Sequence, residues 1–248
     1  MALRTNLNGL IIKEQTVGES DKLVTVLTAE LGVIRAFVKR GRSMKSRLGS
    51  ATGLLCYSQL TVFENKGTYY IDEATAVEVF FGLRSDVVRT ALAQYFCEVC
   101  MHIGVEGDST PEVLRLMLNC LYFLANGTRE PEFIKPVFEL RIMAASGFLP
   151  DLGGCSVCGC ETGDFLFDLK GGVLVCSDCC GGNTQWRIPL STGVAKAMKH
   201  IVAGPFERMF SFNLSDEGLV RLGDISERYL SMQSDRQYKT LEFYKSLF

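Results

Sequence analysis

The sequence predicts an α+β chain of more than one domain: a small β-barrel over residues 1–80, then an all-α domain over 81–248 with a cysteine-rich insertion at 150–188. Three observations predict it. Short runs rich in Val, Ile, Thr, Tyr and Phe fill the first third of the chain. The apolar period then changes from two to that of a helix after Arg84. Finally, a Gly- and Cys-rich stretch interrupts the helical part.

"LNGLIIKEQ", "KLVTVLTAE", "VIRAFVKR", "YSQLTVFE" and "TYYIDEA" read as five strands, punctuated by Gly32 and by "ENKG" at 64–67. Five strands without a helix of any length between them point to a closed barrel; at this level an SH3-like barrel fits the same pattern. "SDVVRTALAQYFCEVCMHIG" opens a helix with Ser85 as its expected N-cap. It sets Val88, Ala91, Leu92, Tyr95, Phe96, Val99 and Ile103 at helical spacing. "STPEVLRLMLNCLYFLANG" has Pro111 in its first turn and Gly127 past its end. "EPEFIKPVFELRIMAASG" predicts a third helix, interrupted at Pro136, and two more follow in "STGVAKAMKHIVAG" and "SDEGLVRLGDISERYLSMQ".

A chain of 248 residues can bury a full core without disulfides, and 47% hydrophobic with 22% charged residues is a globular composition. The formal net charge of -2 predicts no general affinity for polyanions, so any nucleic-acid surface must be local. The first residues show no export signal, and no apolar run reaches the ~20 residues of a membrane span. The chain reads as cytoplasmic, where ten cysteines are thiols or metal ligands in preference to disulfides.

Cys155, Cys158, Cys176 and Cys179 form C-x2-C-x17-C-x2-C, the spacing of a closed, structural four-thiolate zinc site. "FLFDL" and "GVLVC" read as the hairpin that returns the second pair to the first. Free buried thiols rarely pair at this spacing, and redox C-x-x-C chemistry belongs in a βαβ setting that this insertion lacks. Cys160 and Cys180 adjoin the knuckles and read as neighbouring thiols, although either could exchange with a ligand. No catalytic motif appears, and both histidines, His102 and His200, lie in apolar helical runs. The expectation is a protein that is not an enzyme; a zinc hydrolase would need the open metal position that four sulfurs deny.

From Leu31 to Phe63 no acidic residue occurs, while Lys39, Arg40, Arg42, Lys45 and Arg47 crowd into "KRGRSMKSR". Most charge runs are solvated loops. This one leaves a barrel strand and mixes bases with Gly41, Ser43 and Ser46, which are donors suited to phosphate. Phe37, Tyr57, Phe63, Tyr69 and Tyr70 lie nearby, but alternation alone does not say which of them face outward to stack on bases.

In this order of features the sequence resembles the RecO family of bacterial recombination mediators. The resemblance rests on "GESDKLVTVLTAELGVIRAFVKRGRSMKSRL", on "FELRIMAASGFLPDLGGCSVCG", on "GGVLVCSDC" and on the tail "RYLSMQSDRQYKTLEFYKSL", read as a terminal helix with a basic-aromatic ending. It covers essentially the whole chain. It implies an N-terminal OB-fold barrel and a helical domain with a zinc-finger insertion, one structural zinc ion included. It also implies binding of single- and double-stranded DNA, annealing of complementary strands, and, with RecR, loading of RecA onto DNA covered by single-strand-binding protein. The family's basic DNA-contacting region matches Lys39, Arg40 and Arg42; charge extends it to Lys45 and Arg47. The acidic, Phe-ended tail of single-strand-binding protein would dock on the helical domain, with Lys135, Arg141, Lys196 and Lys199 as candidates from helix position. The location implied is cytoplasmic and nucleoid-associated. The competing reading is a zinc-containing barrel that binds RNA or ribosomal partners.

Overall fold

The computed structural model describes residues 4–42, 47–104, 107–181 and 185–248. In chain order the elements are β1 (Arg4–Val17), β2 (Asp21–Thr28), β3 (Val33–Val38), α1 (Arg47–Ala51), β4 (Cys56–Asn65), β5 (Thr68–Val79), α2 (Val87–Ile103), α3 (Pro111–Asn126) and α4 (Pro131–Ala145). Then come β6 (Asp151–Cys155), β7 (Phe165–Asp168), β8 (Val173–Cys176), β9 (Arg187–Leu190), α5 (Thr192–Ala203), α6 (Asp216–Ser234) and α7 (Lys239–Lys245). Among the described residues no helix is long and apolar enough to cross a membrane.

β1 to β5 form a ring in the order β1-β2-β3-β5-β4, with β4 pairing back to β1. All its pairings are antiparallel except β3 with β5, a parallel seam of two residue pairs, Ala36 with Tyr69 and Phe37 with Tyr70. A five-stranded barrel left nearly open at one seam is the oligonucleotide-binding arrangement. Period-two alternation turns Val24, Val26, Ile34, Ala36, Val38, Leu60, Val62 and Ile71 into its core. Burial of each larger side chain there contributes about 1.5–3 kcal/mol.

By contacts the chain forms two compact units, residues 1–127 with 238–248, and residues 128–237. In the first, α2 is buried on nearly every side, through Leu92, Tyr95, Phe96, Val99 and their neighbours. The chain end returns to it: Thr240 donates its backbone N–H to the Glu98 carboxylate at 3.0 Å, and Tyr238 meets Tyr95 edge-on. In the second, the sheet runs β6-β8-β7-β9. The expected hairpin is its centre, β7 and β8; β6 and β9 extend it on either side.

Three local expectations are corrected. The N-cap of α2 is Asp86, whose carboxylate accepts the Arg89 N–H at 3.1 Å; Ser85 closes a preceding short turn and donates to the Gly82 carbonyl. α4 is continuous through Pro136, although that residue forgoes the bond of its own N–H and its ring crowds the carbonyl four residues back; burial of Phe133, Ile134, Val137, Phe138 and Leu140 around it offsets the cost. The tail is two helices: Asp235, with φ of 49°, takes the left-handed conformation that ends α6 before α7 begins.

Candidate nucleic-acid interface and cysteine cluster

Lys39, Arg40 and Arg42 stand exposed on the turn that leaves β3. Arg40 has φ of 54°, a conformation that costs a residue with a side chain about 1–2 kcal/mol, so something must hold it. The holder is the turn between β1 and β2. The Asp21 carboxylate accepts the Arg40 N–H at 2.8 Å, the Ser20 carbonyl accepts the Arg42 N–H at 3.0 Å, and the Arg42 guanidinium donates to the Glu19 carbonyl at 3.2 Å. The "GESD" stretch is thus a brace for the basic turn. Beyond it, the nearly buried Lys22 pairs with Glu14 at 2.9 Å and donates to the Gly49 carbonyl in α1, fastening the far end of the same loop. No carboxylate forms an ion pair with the side chain of Lys39, Arg40 or Arg42 among the described residues. Lys45 and the Arg47 side chain lie outside the described residues.

The structure separates the nearby aromatics. Tyr69 packs against the barrel core. Tyr57 pairs with Leu10 and Glu78 near the start of β4. Phe37, Tyr70 and Phe63 alternate with core residues and so face outward, and the Lys39 ammonium sits 5.5 Å from the Tyr70 ring centre.

In the second unit the cysteines converge. β6 delivers Cys155 at its end, β8 delivers Cys176 at its end, and a short turn over Ser177–Cys179 follows. Gly159, with φ of 74°, lets the chain double back so that its N–H bonds the Cys155 carbonyl while the Cys155 N–H bonds the Cys160 carbonyl, both at 2.8 Å. The sulfurs of Cys155, Cys158, Cys160 and Cys176 all lie within 4.8 Å of one another. Cys179 packs against the cluster formed by Cys155, Val175 and Cys176, beside this set. Backbone N–H groups at Cys158 and Cys176 pull the Cys155 thiol down to about 6, whereas its bond to Cys158 and burial push Cys160 up to about 12. The thiols thus divide: backbone hydrogen bonds lower Cys155 and Cys158, whereas hydrogen bonds to neighbouring thiols raise Cys160 and Cys179. Cys180 is drawn away: Arg187 bonds its carbonyl, approaches its sulfur at 3.7 Å, and pairs with Asp168 at 3.1 Å. The remaining four, Cys56, Cys97, Cys100 and Cys120, are buried, and burial raises each thiol.

Two family models cover nearly all of the chain: "Recombination protein O N terminal" over residues 1–80 and "Recombination protein O C terminal" over residues 84–242. The chain belongs to the recombination protein O family. Relatives named DNA repair protein RecO include one from Acetivibrio thermocellus, 34% identical over 97% of this chain and 96% of the relative. Others come from Dehalococcoides mccartyi, 31% identical over 86% and 84%, and Symbiobacterium thermophilum, 29% identical over 98% and 97%. The recombination protein O family carries a role in DNA repair and recombination.

Within this member of the recombination protein O family, the four helical-domain cations have different fates. Lys135 is buried, held by Glu139 and Glu227 at 2.9 Å each. Arg141 donates to the carbonyls of Ile201, Val202 and Gly204 at the end of α5 and lies over the Phe206 ring. Lys196 and Lys199 are exposed and border a cavity of about 400 Å³ lined by Leu152, Phe165, Leu174 and Leu190. Helix position alone placed all four at the surface; which ones were already used depends on packing between α4, α5 and α6. His200 is likewise occupied, its ring nitrogen 2.7 Å from the Arg208 carbonyl.

Proposed function

We propose that the chain binds single- and double-stranded DNA on the basic turn of its barrel, draws complementary strands together, and with RecR helps load RecA onto DNA covered by single-strand-binding protein. The observation that carries this reading is the braced turn with Lys39, Arg40 and Arg42 projecting from it. Two strands repel through their phosphates, and a fixed group of cations lowers that repulsion without making or breaking a covalent bond. The work is electrostatic, so no nucleophile or activated water enters it. Lys45 and Arg47 extend the same surface by charge. The acidic, apolar-ended tail of single-strand-binding protein suits the cavity beside Lys196 and Lys199, where carboxylates would meet ammonium groups and an aromatic end would meet Phe165 and Leu174. A cytoplasmic, nucleoid-associated location follows from that work.

The same proposal gives the cysteine cluster one structural zinc ion, held by Cys155, Cys158, Cys176 and Cys179. A tetrahedron of sulfurs each ~2.3 Å from zinc has edges of about 3.8 Å. The Cys158 and Cys176 sulfurs are 3.7 Å apart. When bound, the ion clamps β6 to β8 and leaves no position for water. Cys160, already among the sulfurs, is the ligand that would compete with Cys179.

The test is annealing of complementary strands by the chain and by a variant with Lys39→Glu, Arg40→Glu and Arg42→Glu. Loss of annealing in a variant that melts normally supports the reading; full annealing by that variant overturns it.

A further inference from the structure

The basic turn accounts for phosphate but offers nothing to a base, and beside it lies a surface that does. On the strength of the DNA-binding reading above, we infer that Phe37, Tyr70 and Phe63 form a stacking platform for the bases of single-stranded DNA, with Lys39 holding the phosphate side.

Register puts these rings together. Phe37 pairs with Tyr70 across the parallel seam, Tyr70 pairs with Phe63, and Phe63 pairs with Arg4. They occupy one transverse row across β3, β5 and β4 on the outer face. The inward neighbours Ala36, Val38, Val62 and Ile71 already fill the core, so the barrel's interior makes no use of the row. The rings are half-buried and stacked on one another along the row, inclined by 28° and 14°, with centroids 5.7 and 5.3 Å apart. Adjacent strands are ~4.7–4.9 Å apart, so the row spans about 10 Å, the length of two or three bases. Lys39 overhangs the Tyr70 ring at 5.5 Å, and the exposed Arg4, paired with Asp72 at 2.6 Å, ends the row on β1.

Flat rings flanked by cations match a strand whose base faces are exposed and whose phosphates run alongside. A duplex keeps its base faces stacked inside and can use only the cations. The platform thus divides the labour: Lys39, Arg40 and Arg42 take either form of DNA, and the rings favour single strands. Cross-strand ring pairs also steady a sheet by themselves, and the test separates that role from base stacking.

Fluorescence anisotropy with three probes is the experiment: a thymidine homopolymer, an abasic strand of equal length, and a duplex. The proteins are the full chain, Tyr70→Ala, Tyr70→Leu (which keeps apolar bulk), Phe63→Leu, and the triple variant Lys39→Ala, Arg40→Ala, Arg42→Ala, each checked by thermal melting. Tyr70→Ala is expected to bind the thymidine strand about 5- to 150-fold more weakly, with abasic and duplex binding and the salt slope unchanged. Equal weakening on all three probes, or none on the thymidine strand, overturns the platform. If the cation variant loses affinity while the ring variants do not, the DNA surface stands and stacking fails. If the cation variant binds all probes normally, the surface reading falls and the platform with it. Photo-crosslinking of a 5-iodouracil strand to the unaltered chain gives a second readout independent of variant folding. Crosslinks at Phe37, Phe63 or Tyr70 support the platform, and crosslinks found only elsewhere overturn it.

Discussion

Lys135→Met tests the distinction between a cation that binds and a cation that holds the fold. Lys135 lies on α4 with its ammonium 2.9 Å from both Glu139 and Glu227, and Glu139 is wholly buried and also accepts from the Ser226 hydroxyl at 2.6 Å. Burial alone would lower the Lys135 pKa, but the two carboxylates outweigh it and raise it above the ordinary lysine range. A folded-state pKa raised above the unfolded one gives a contribution fully present below about pH 10.4 and lost only above that, so the native protein shows no pH dependence from this lysine between pH 6 and 9. Methionine keeps the apolar stem and strands the Glu139 charge. Removing one partner of a buried pair costs about 3–5 kcal/mol, which lowers the melting temperature of a unit this size by about 10 °C or more. In the variant the stranded carboxyl has its pKa raised above the unfolded ~4.3, so the deficit is small in acid and grows as pH rises toward 8. Adding Glu139→Gln to Lys135→Met removes the charge and should restore most of the loss. Urea and thermal melts at pH 5 and pH 8 decide it. A loss under ~1 kcal/mol, or one independent of pH, refutes the argument, and weak binding of an acidic peptide by a stably folded Lys135→Met would return that lysine to the docking surface.

Further outcomes are expected elsewhere. With cobalt(II) as the probe, Cys179→Ser should lose the spectrum of a four-thiolate tetrahedron and weaken metal binding by more than the ~10–100-fold typical of an outer-shell change, while Cys160→Ser keeps both; the reverse pattern would make Cys160 the fourth ligand. Prolonged chelation of the zinc-loaded chain should lower the melting temperature of the second unit, and an unchanged melt would mean the metal has no structural role. Lys196→Glu with Lys199→Glu should weaken binding of an acidic, Phe-ended peptide roughly tenfold at low salt and less at high salt, by isothermal titration; unchanged affinity would move the peptide site away from α5.

Local pattern made much of this legible in advance. Runs of β-branched and aromatic residues located all five barrel strands, and the helical period located α2 to α6, because each depends on neighbours within a few residues. The β3–β5 seam depends on two residue pairs about 33 positions apart, and no local signal marks it. The five-residue strand β6, which carries Gly153 and Gly154, and the four-residue strand β9 have too little apolar pattern to stand out. At the candidate sites, residue type announced the basic turn and the paired cysteines. Which side chains were already engaged was invisible: Lys135 and Arg141 are consumed by contacts from α6 and from the end of α5. The "GESD" stretch entered only as the start of a segment carrying the family resemblance, and the hydrogen bonds to Arg40 and Arg42 give it a task. Cys160 sits among the sulfurs because the knuckle folds at Gly159, which spacing alone left open.

The central claim, that the basic turn of the barrel is where DNA binds, is met most directly by the salt dependence of single-strand affinity. Each phosphate neutralised contributes about -0.7 to the log–log slope. If Lys39, Arg40 and Arg42 each contact a phosphate, replacing all three by alanine makes the slope shallower by about 2 and weakens binding most at low salt. A variant whose slope and affinity match the unaltered chain would contradict the claim and place the DNA on another face.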